Sequence, residues 1–514
     1  MKKAKLFFIF NLFLYTALLG QQTEQDTSKI EIINANQIYH TAEMHSGVNV
    51  LLGEVELYHD STTMYCDSAI LNQSLKKFDA FGNVHIERLQ IDGDTVQLWG
   101  DTLYYDGIKK FAKIRKNVIL KNDTATLTTD SLNYDMKKNL GYYFNGGTTI
   151  NSRDTLKSFF GYFYADSNFV LFKKDVEIRN PRFKIYTDTM KYDLEHEKSY
   201  FYGPTEIISD SNYIYTEYGE YDHKANIGIL SHKPFLHSGE HDMQADSIIY
   251  DRNKGVGEAF YNVKITDTVN DVILTGEYGI FYEQNQYSLI TDSALFVQIY
   301  DNDTLWLHGD TLISYIDTAY EDIDTAIYRL VFAYYHVKIF RKDFQAKCDS
   351  MFFTARDSML MMFKNPVIWT DSAQIYANKF QLYIYNNNLD ELILYDSVYF
   401  AQEVDSTVFN QVKCDYSRLI FKKKDLDKMQ TISDVKVIYF IQDKKNIVSV
   451  VNLQTDTMWI YFDSNKVSLI KPQGKAQGQL LPPNQASGDK KQLPGFIWLD
   501  YLRPKKPEDI FLWP

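Results

Sequence analysis

The sequence predicts an all-β chain built as an elongated array of repeated strand pairs, on three observations. A short grammar recurs along nearly all of its 514 residues, apolar residues alternate with Asp, Thr, Lys and Asn, and Tyr (39) and Phe (33) outnumber Gly (24) and Pro (11). Period-two alternation with many aromatic side chains suits half-buried strands, and helical spacing is scarce. A single compact core stops growing near about 250–300 residues. A repeat array escapes that limit, because each unit buries its apolar face on its neighbours, so one elongated body is expected.

The unit is clearest from Gln244 to Ile265, QADSIIYDRNKGVGEAFYNVKI. It has a small residue before Asp246, an apolar strand ending at Tyr250, a polar turn, and a strand closing on Val263-Lys264-Ile265. Counterparts of the Asp stand at Asp67, Asp101, Asp130, Asp188, Asp310, Asp349 and Asp415, with Asn36, Gly161, Glu217, Glu277 and Asn378 in the same place in weaker copies. The spacing of about 27–39 residues is that of stacked supersecondary units.

In chain order, Met1–Gly20 has Lys2, Lys3 and Lys5 before an apolar run and then Gln21-Gln22, which reads as a secretory signal peptide. No Cys follows it, so no lipid anchor is expected, and the later chain has no apolar run long enough for a membrane helix. Residues 21–470 form the repetitive body. Its turns are expected at Asp106-Gly107, Asn145-Gly146-Gly147 and Arg252–Gly255. The acidic insert Ile316–Asp324 reads as a solvated loop. Residues 471–514 read as a Pro/Gly/Gln-rich linker and an apolar tail, with Phe496–Leu502 forming a short helix that caps one end of the array.

Chemistry is limited by what is present. The net charge of −13 argues against a nucleic-acid partner. Cys66, Cys348 and Cys414 each occupy the small position before the anchoring Asp, so they read as small core residues and not as disulfide partners or metal ligands. An Asp followed by Ser or Thr before a strand is a usual turn device, its carboxylate taking backbone N–H groups, so the Asp column reads as structural and not as a calcium or catalytic row. No nucleophile elbow, zinc-protease signature or phosphate loop occurs. Catalytic residues, metals and cofactors are therefore not expected.

What remains is an apolar face running through the units, which either packs shut as a sandwich core or stays open as a groove. Alternation puts both members of each closing pair on one face: Val84 and Ile86, Val118 and Leu120, Val176 and Ile178, Val263 and Ile265, Val337 and Ile339. They are the candidates for lining it.

The segments Ala80–Ile86 and Leu98–Asp106, with Ala245–Asp251, resemble the "G-N-V-x-I … L-x-A-D-x-x-x-Y-D" repeat of the OstA/LptA proteins, and the resemblance runs through most of 36–415. The many units and the GFIWLDYLRP tail look like the long OstA-like proteins of Bacteroidetes-type bacteria. The resemblance implies a β-jellyroll of two facing, twisted antiparallel sheets forming an open half-pipe in the periplasm. It further implies a lipopolysaccharide cargo, no enzymatic activity, and edge-strand pairing with other bridge proteins or end to end with a second copy. From the residues alone, a structural or adhesive β-solenoid with a packed interior is the alternative, and a polysaccharide-acting solenoid enzyme ranks third.

Overall fold

The structure, a computed structural model, describes residues 29–513 apart from 41–46, 60–61, 90–94, 122–124, 152–153, 165, 182, 210–211, 239–240, 269–270, 283–286, 301–302, 322–323, 371, 386–387, 423–424, 444–445 and 464–465. The expected signal segment 1–20 lies outside the described residues. These contain strands and short 3₁₀ turns, with no α-helix among them. The chain divides into two compact units, 1–239 with 247–253, and 240–246 with 254–514.

Both units repeat one device. Adjacent strands are antiparallel and commonly 11 to 13 residues long, as in Val48–His59, Thr62–Asn72 and Lys77–Leu89. Every second strand bends or breaks at a corner, most often at two consecutive residues with positive φ, as at Gly82 (74°) and Asn83 (43°), Lys116 and Asn117, Tyr261 and Asn262, and Tyr335 and His336, and at Gly203 alone in Lys198–Ser209. The extra residues make a bulge, and the register slips there against both neighbours, between Tyr65 and Ser68 on one side and between Phe81 and Val84 on the other. A bulge turns the strand sharply, so its two halves face each other across a core.

The anchoring Asp sits opposite this corner, inside a continuous strand at Asp67, Asp101 and Asp415 and in a short break between two strands at Asp246 and Asp310. Its carboxylate does not cap a turn as expected. Asp67 accepts from Asn83 Nδ2 at 2.9 Å, Asp101 from Asn117 Nδ2 at 3.0 Å, Asp246 from Asn262 Nδ2 at 3.0 Å and Asp415 from Ser433 Oγ at 2.7 Å. Left-handed non-glycine residues cost roughly 1–3 kcal/mol each, and these hydrogen bonds help hold them. The second Asp of the motif does cap a turn: Asp106 accepts from Lys109 N at 2.9 Å.

Just after the corner comes a deeply buried Val, and across from it stands the small residue. The pairs are Val55–Cys66, Val84–Gly100, Val118–Thr129, Val176–Thr187, Val263–Gly276, Val337–Cys348 and Val398–Cys414. These Val residues are at most 2% exposed. The cysteines are free and buried, and burial pushes the thiols up, to about 11 at Cys66 and about 12 at Cys348 and Cys414. Size explains the choice of residue: a Cβ on Gly100 would lie 2.6 Å from Ile114 Cγ2.

Three expectations are corrected here. Gly161 is not an anchor; Phe159 takes that place, its N–H donating to Lys174 O at 3.0 Å, and Gly161 makes room for the Tyr143 ring, which a Cβ would approach to 2.3 Å. Over its described residues the acidic insert is not a loop: residues 316–321 pair with 324–329 and so extend the two strands Thr311–Glu321 and Asp324–Arg341. The body does not stop at 470, because Lys466–Gln473 and Gln477–Leu481 pair with Asn446–Asp463. Asp456 and Gly474 (φ 88°) make one more corner.

In the second unit the chain after Leu481 runs as 3₁₀ turns and extended backbone, with no capping helix. It lies across the outer face of the sheet half that follows the corner, on the row Gln345–Trp369–Gln374–Ala401–Gln411. Glutamines of that row hold its backbone: Gln411 Oε1 accepts from Leu493 N at 2.9 Å, and Gln374 accepts from Leu499 N at 2.7 Å and donates to Ile497 O at 2.9 Å. Lys338 and Lys347 lie over the Trp513 ring at 5.3 and 4.7 Å, and burial lowers both ammonium pKa values from the usual lysine range.

Two outcomes are expected from urea unfolding. Gly100→Val loses about 1–3 kcal/mol by overpacking against Ile114. Val337→Ala loses about 1–2 kcal/mol by opening a void at a corner, and a larger loss than Ile265→Ala at a half-buried place.

Candidate functional site

The bulges place the Val-x-Ile pairs of every unit at the same height on the strands, and the registers then string them into rows. In the first unit Leu57, Met64, Ile86, Leu98, Leu120 and Leu127 are successive cross-strand partners. The row continues through Thr149 to Leu156, Ile178, Ile185 and Ile207. Across the core, the other sheet half presents Ala69, Ala80, Leu103, Ile114 and Leu132 as its own row. In the second unit the equivalent row runs Ile265, Leu274, Phe296, Leu307, Ile339, Ala346 and Ile368, facing Ile290, Leu312, Ala333, Met351 and Met362. Each unit thus has an apolar interior that persists from strand to strand.

The ten candidate residues fall at two depths. Val84, Val118, Val176, Val263 and Val337 sit beside the corners at the floor of the interior. One step farther along the strand, Leu120, Ile178 and Ile339 are buried at 8%, 5% and 4% exposure, and Ile86 and Ile265 are half-buried. Ile86 and Val96 pack on the first unit's cluster, and Ile265, Leu274 and Phe296 on the second's. The intervening Lys264 is exposed on the outer face.

The interior is tightly packed. A cavity of about 20 Å³, lined by Leu120, Leu127, Leu132, Tyr143, Phe163 and Phe172 among others, lies where the first unit's two apolar clusters meet. That is room for about one water. The polar interruptions lie nearby in sequence: the hydroxyls of Ser131 and Thr149 are buried without a hydrogen-bond partner. Tyr143 OH, by contrast, is paired with Ser158 Oγ at 2.7 Å, and burial raises its pKa to about 12.

The interior signal in the sequence was the alternation itself. The corner was missed, because its residue types vary from Gly-Asn to Tyr-His and only their φ angles agree. Among the described residues no cluster of His, Cys, Asp and Glu is arranged to hold a metal ion.

Comparisons with known proteins find a family model and a solved structure. Residues 27–188 match the model of the OstA-like protein family. Among solved structures, the chain is similar to LptH, the LptA homologous periplasmic component of the lipopolysaccharide transport device from Pseudomonas aeruginosa. The identity is 19% over 21% of this chain and 75% of that one, with a TM-score of 0.19. No curated protein matches. Residues 27–188 are therefore an OstA-like segment, and the corner, buried Val and small partner that build it recur beyond it as far as Val398 and Cys414.

Proposed function

We propose that the chain is a periplasmic bridge protein that carries lipopolysaccharide between the inner and outer membranes along the apolar interior of its jellyroll. The observation that carries this reading is the unbroken register of apolar rows, Leu57 to Leu127 in one unit and Ile265 to Ile368 in the other. A lipid kept from water gains about 0.8 kcal/mol for each buried CH₂, so transport without reaction needs a continuous apolar lining and little else.

A cavity of about 20 Å³ does not hold an acyl chain, so the two sheet halves must part to admit one. The corners are the natural hinges, because the ladder is already interrupted there. The Val residues Val84, Val118, Val176, Val263 and Val337 then stay at the floor, and Ile86, Leu120, Ile178, Ile265 and Ile339 meet the lipid. Export of the chain follows from its signal segment.

Neighbours in the bridge dock on strand edges. In the first unit Glu31–Asn34 and Gln37–Tyr39 pair, among the described residues, only with Val48–His59, and they leave Ile33, Ile38 and Tyr39 about half exposed at 54%, 55% and 49%. In the second, Lys466–Gln473 and Gln477–Leu481 leave Leu469 and Leu480 exposed. Such edges take a further strand from another bridge protein or from a second copy.

The dense packing favours a second reading, a structural solenoid whose interior never opens. Photo-crosslinking in living cells separates the two. A probe at Ile265 is expected to give a lipopolysaccharide adduct on immunoblotting, and a probe at Lys264 none. Folded, expressed protein with no adduct at either position supports the closed solenoid.

A further inference from the structure

The inner row of the first unit has a polar member. Thr149 is the cross-strand partner of Leu127 on one side and of Leu156 on the other. The other members of the row, from Leu57 to Ile207, are all Leu, Ile or Met. Alternation along Gly147–Asn151 buries Gly147 and Thr149 and exposes Ile150, so the Thr149 side chain faces the interior, at 2% exposure. Its hydroxyl has no hydrogen-bond partner among the described residues.

The fold does not need this hydroxyl. A valine has nearly the same shape and would fill the place without the cost of an unsatisfied buried O–H. Neighbouring polar groups are spent on the protein itself. Thr129 Oγ1 donates to Gly146 O at 2.7 Å, Tyr143 OH is paired with Ser158 Oγ at 2.7 Å, and Ser158 Oγ donates to Phe160 O at 2.9 Å. Ser131, whose hydroxyl is likewise unpaired, alternates with the inward Leu132 and stands opposite Arg115, so it does not join Thr149. The interior also leaves room here. Leu127 belongs to one apolar cluster and Leu156 to the next. Leu127 lines the small cavity together with Gly141 and Gly161, which contribute no side chain to it.

We propose that Thr149 is a binding site for an acyl carbonyl: its O–H donates to the ester or amide oxygen of a lipid whose hydrocarbon lies against Leu127 and Leu156 on either side. This rests on the lipid carriage proposed above and names the chemical class of lipid carried. A carbonyl taken from water into an apolar interior costs free energy unless a donor meets it, and so does an unpaired hydroxyl already inside. Bringing the two together removes both costs. An alkyl glycoside, joined through an acetal oxygen and lacking a carbonyl, gains nothing comparable.

The test is isothermal titration of the full mature chain, below micelle-forming concentrations, with sucrose monododecanoate and with dodecyl maltoside. Both carry a chain of the same carbon number on a disaccharide, and only the first has a carbonyl. The unmodified chain is expected to bind the ester roughly three- to tenfold tighter, the worth of one neutral hydrogen bond. Thr149→Val is expected to erase that preference without weakening the maltoside, and Thr149→Ser to keep it. Urea unfolding of Thr149→Val is expected at an equal or higher midpoint, because the change removes an unsatisfied hydroxyl. Equal binding of the two probes by the unmodified chain, or a preference that survives in Thr149→Val, overturns the carbonyl site and leaves lipid carriage standing. A lower midpoint for Thr149→Val overturns it as well, because the fold then uses the hydroxyl. Binding of neither probe overturns the site and the lipid carriage together.

Discussion

The structure depends on its corner. Two consecutive left-handed residues fold a long strand in half, an Asp or its substitute holds them from the next strand, and a Val just beyond them closes on a small side chain. Remove any one part and the two sheet halves lose their common angle. The strain of residues such as Tyr335 and His336 at positive φ is accepted because it lets one strand contribute to both walls of the interior. Stacking then multiplies the device, since each corner is flanked by straight strands that carry the anchoring Asp and the small residue and join it to the next corner.

Much of this was legible in the sequence, and the limits have physical causes. The repeat, the Val-x-Ile pairs and the placing of Cys66, Cys348 and Cys414 were readable because burial fixes residue size and polarity, and these leave a pattern. The corner was not readable as such, because what is selected there is a backbone conformation that Gly, Asn, Lys, Tyr and His all adopt. The Asp column therefore looked like turn chemistry when it is cross-strand anchoring. The tail was illegible for another reason. Its partners, Gln374 for Leu499 and Gln411 for Leu493, lie far away in sequence, and a stretch rich in Pro, Gly and Gln has the composition of a linker until those partners are known.

The same packing that makes the fold legible sets the problem for function. Interior side chains at a few per cent exposure make a good core and a poor conduit. The account resolves this by assigning the two depths to two tasks. On the proposed reading, the Val floor keeps the strands folded, and the Ile and Leu row above it yields to a lipid when the halves part. In the second unit the tail braces one sheet half from outside, with Phe496 and Ile510 buried at 9% and 1% exposure.

The central claim is this parting of the walls, and a distance across the mouth tests it directly. Spin labels on Thr268 and Tyr282 stand at opposite ends of the paired strands Val256–Asp267 and Val272–Tyr282, and the buried native thiols stay unlabelled. Double electron–electron resonance is predicted to report a longer separation once lipopolysaccharide is added. An unchanged separation with lipopolysaccharide bound would contradict the account and leave the interior a permanent core.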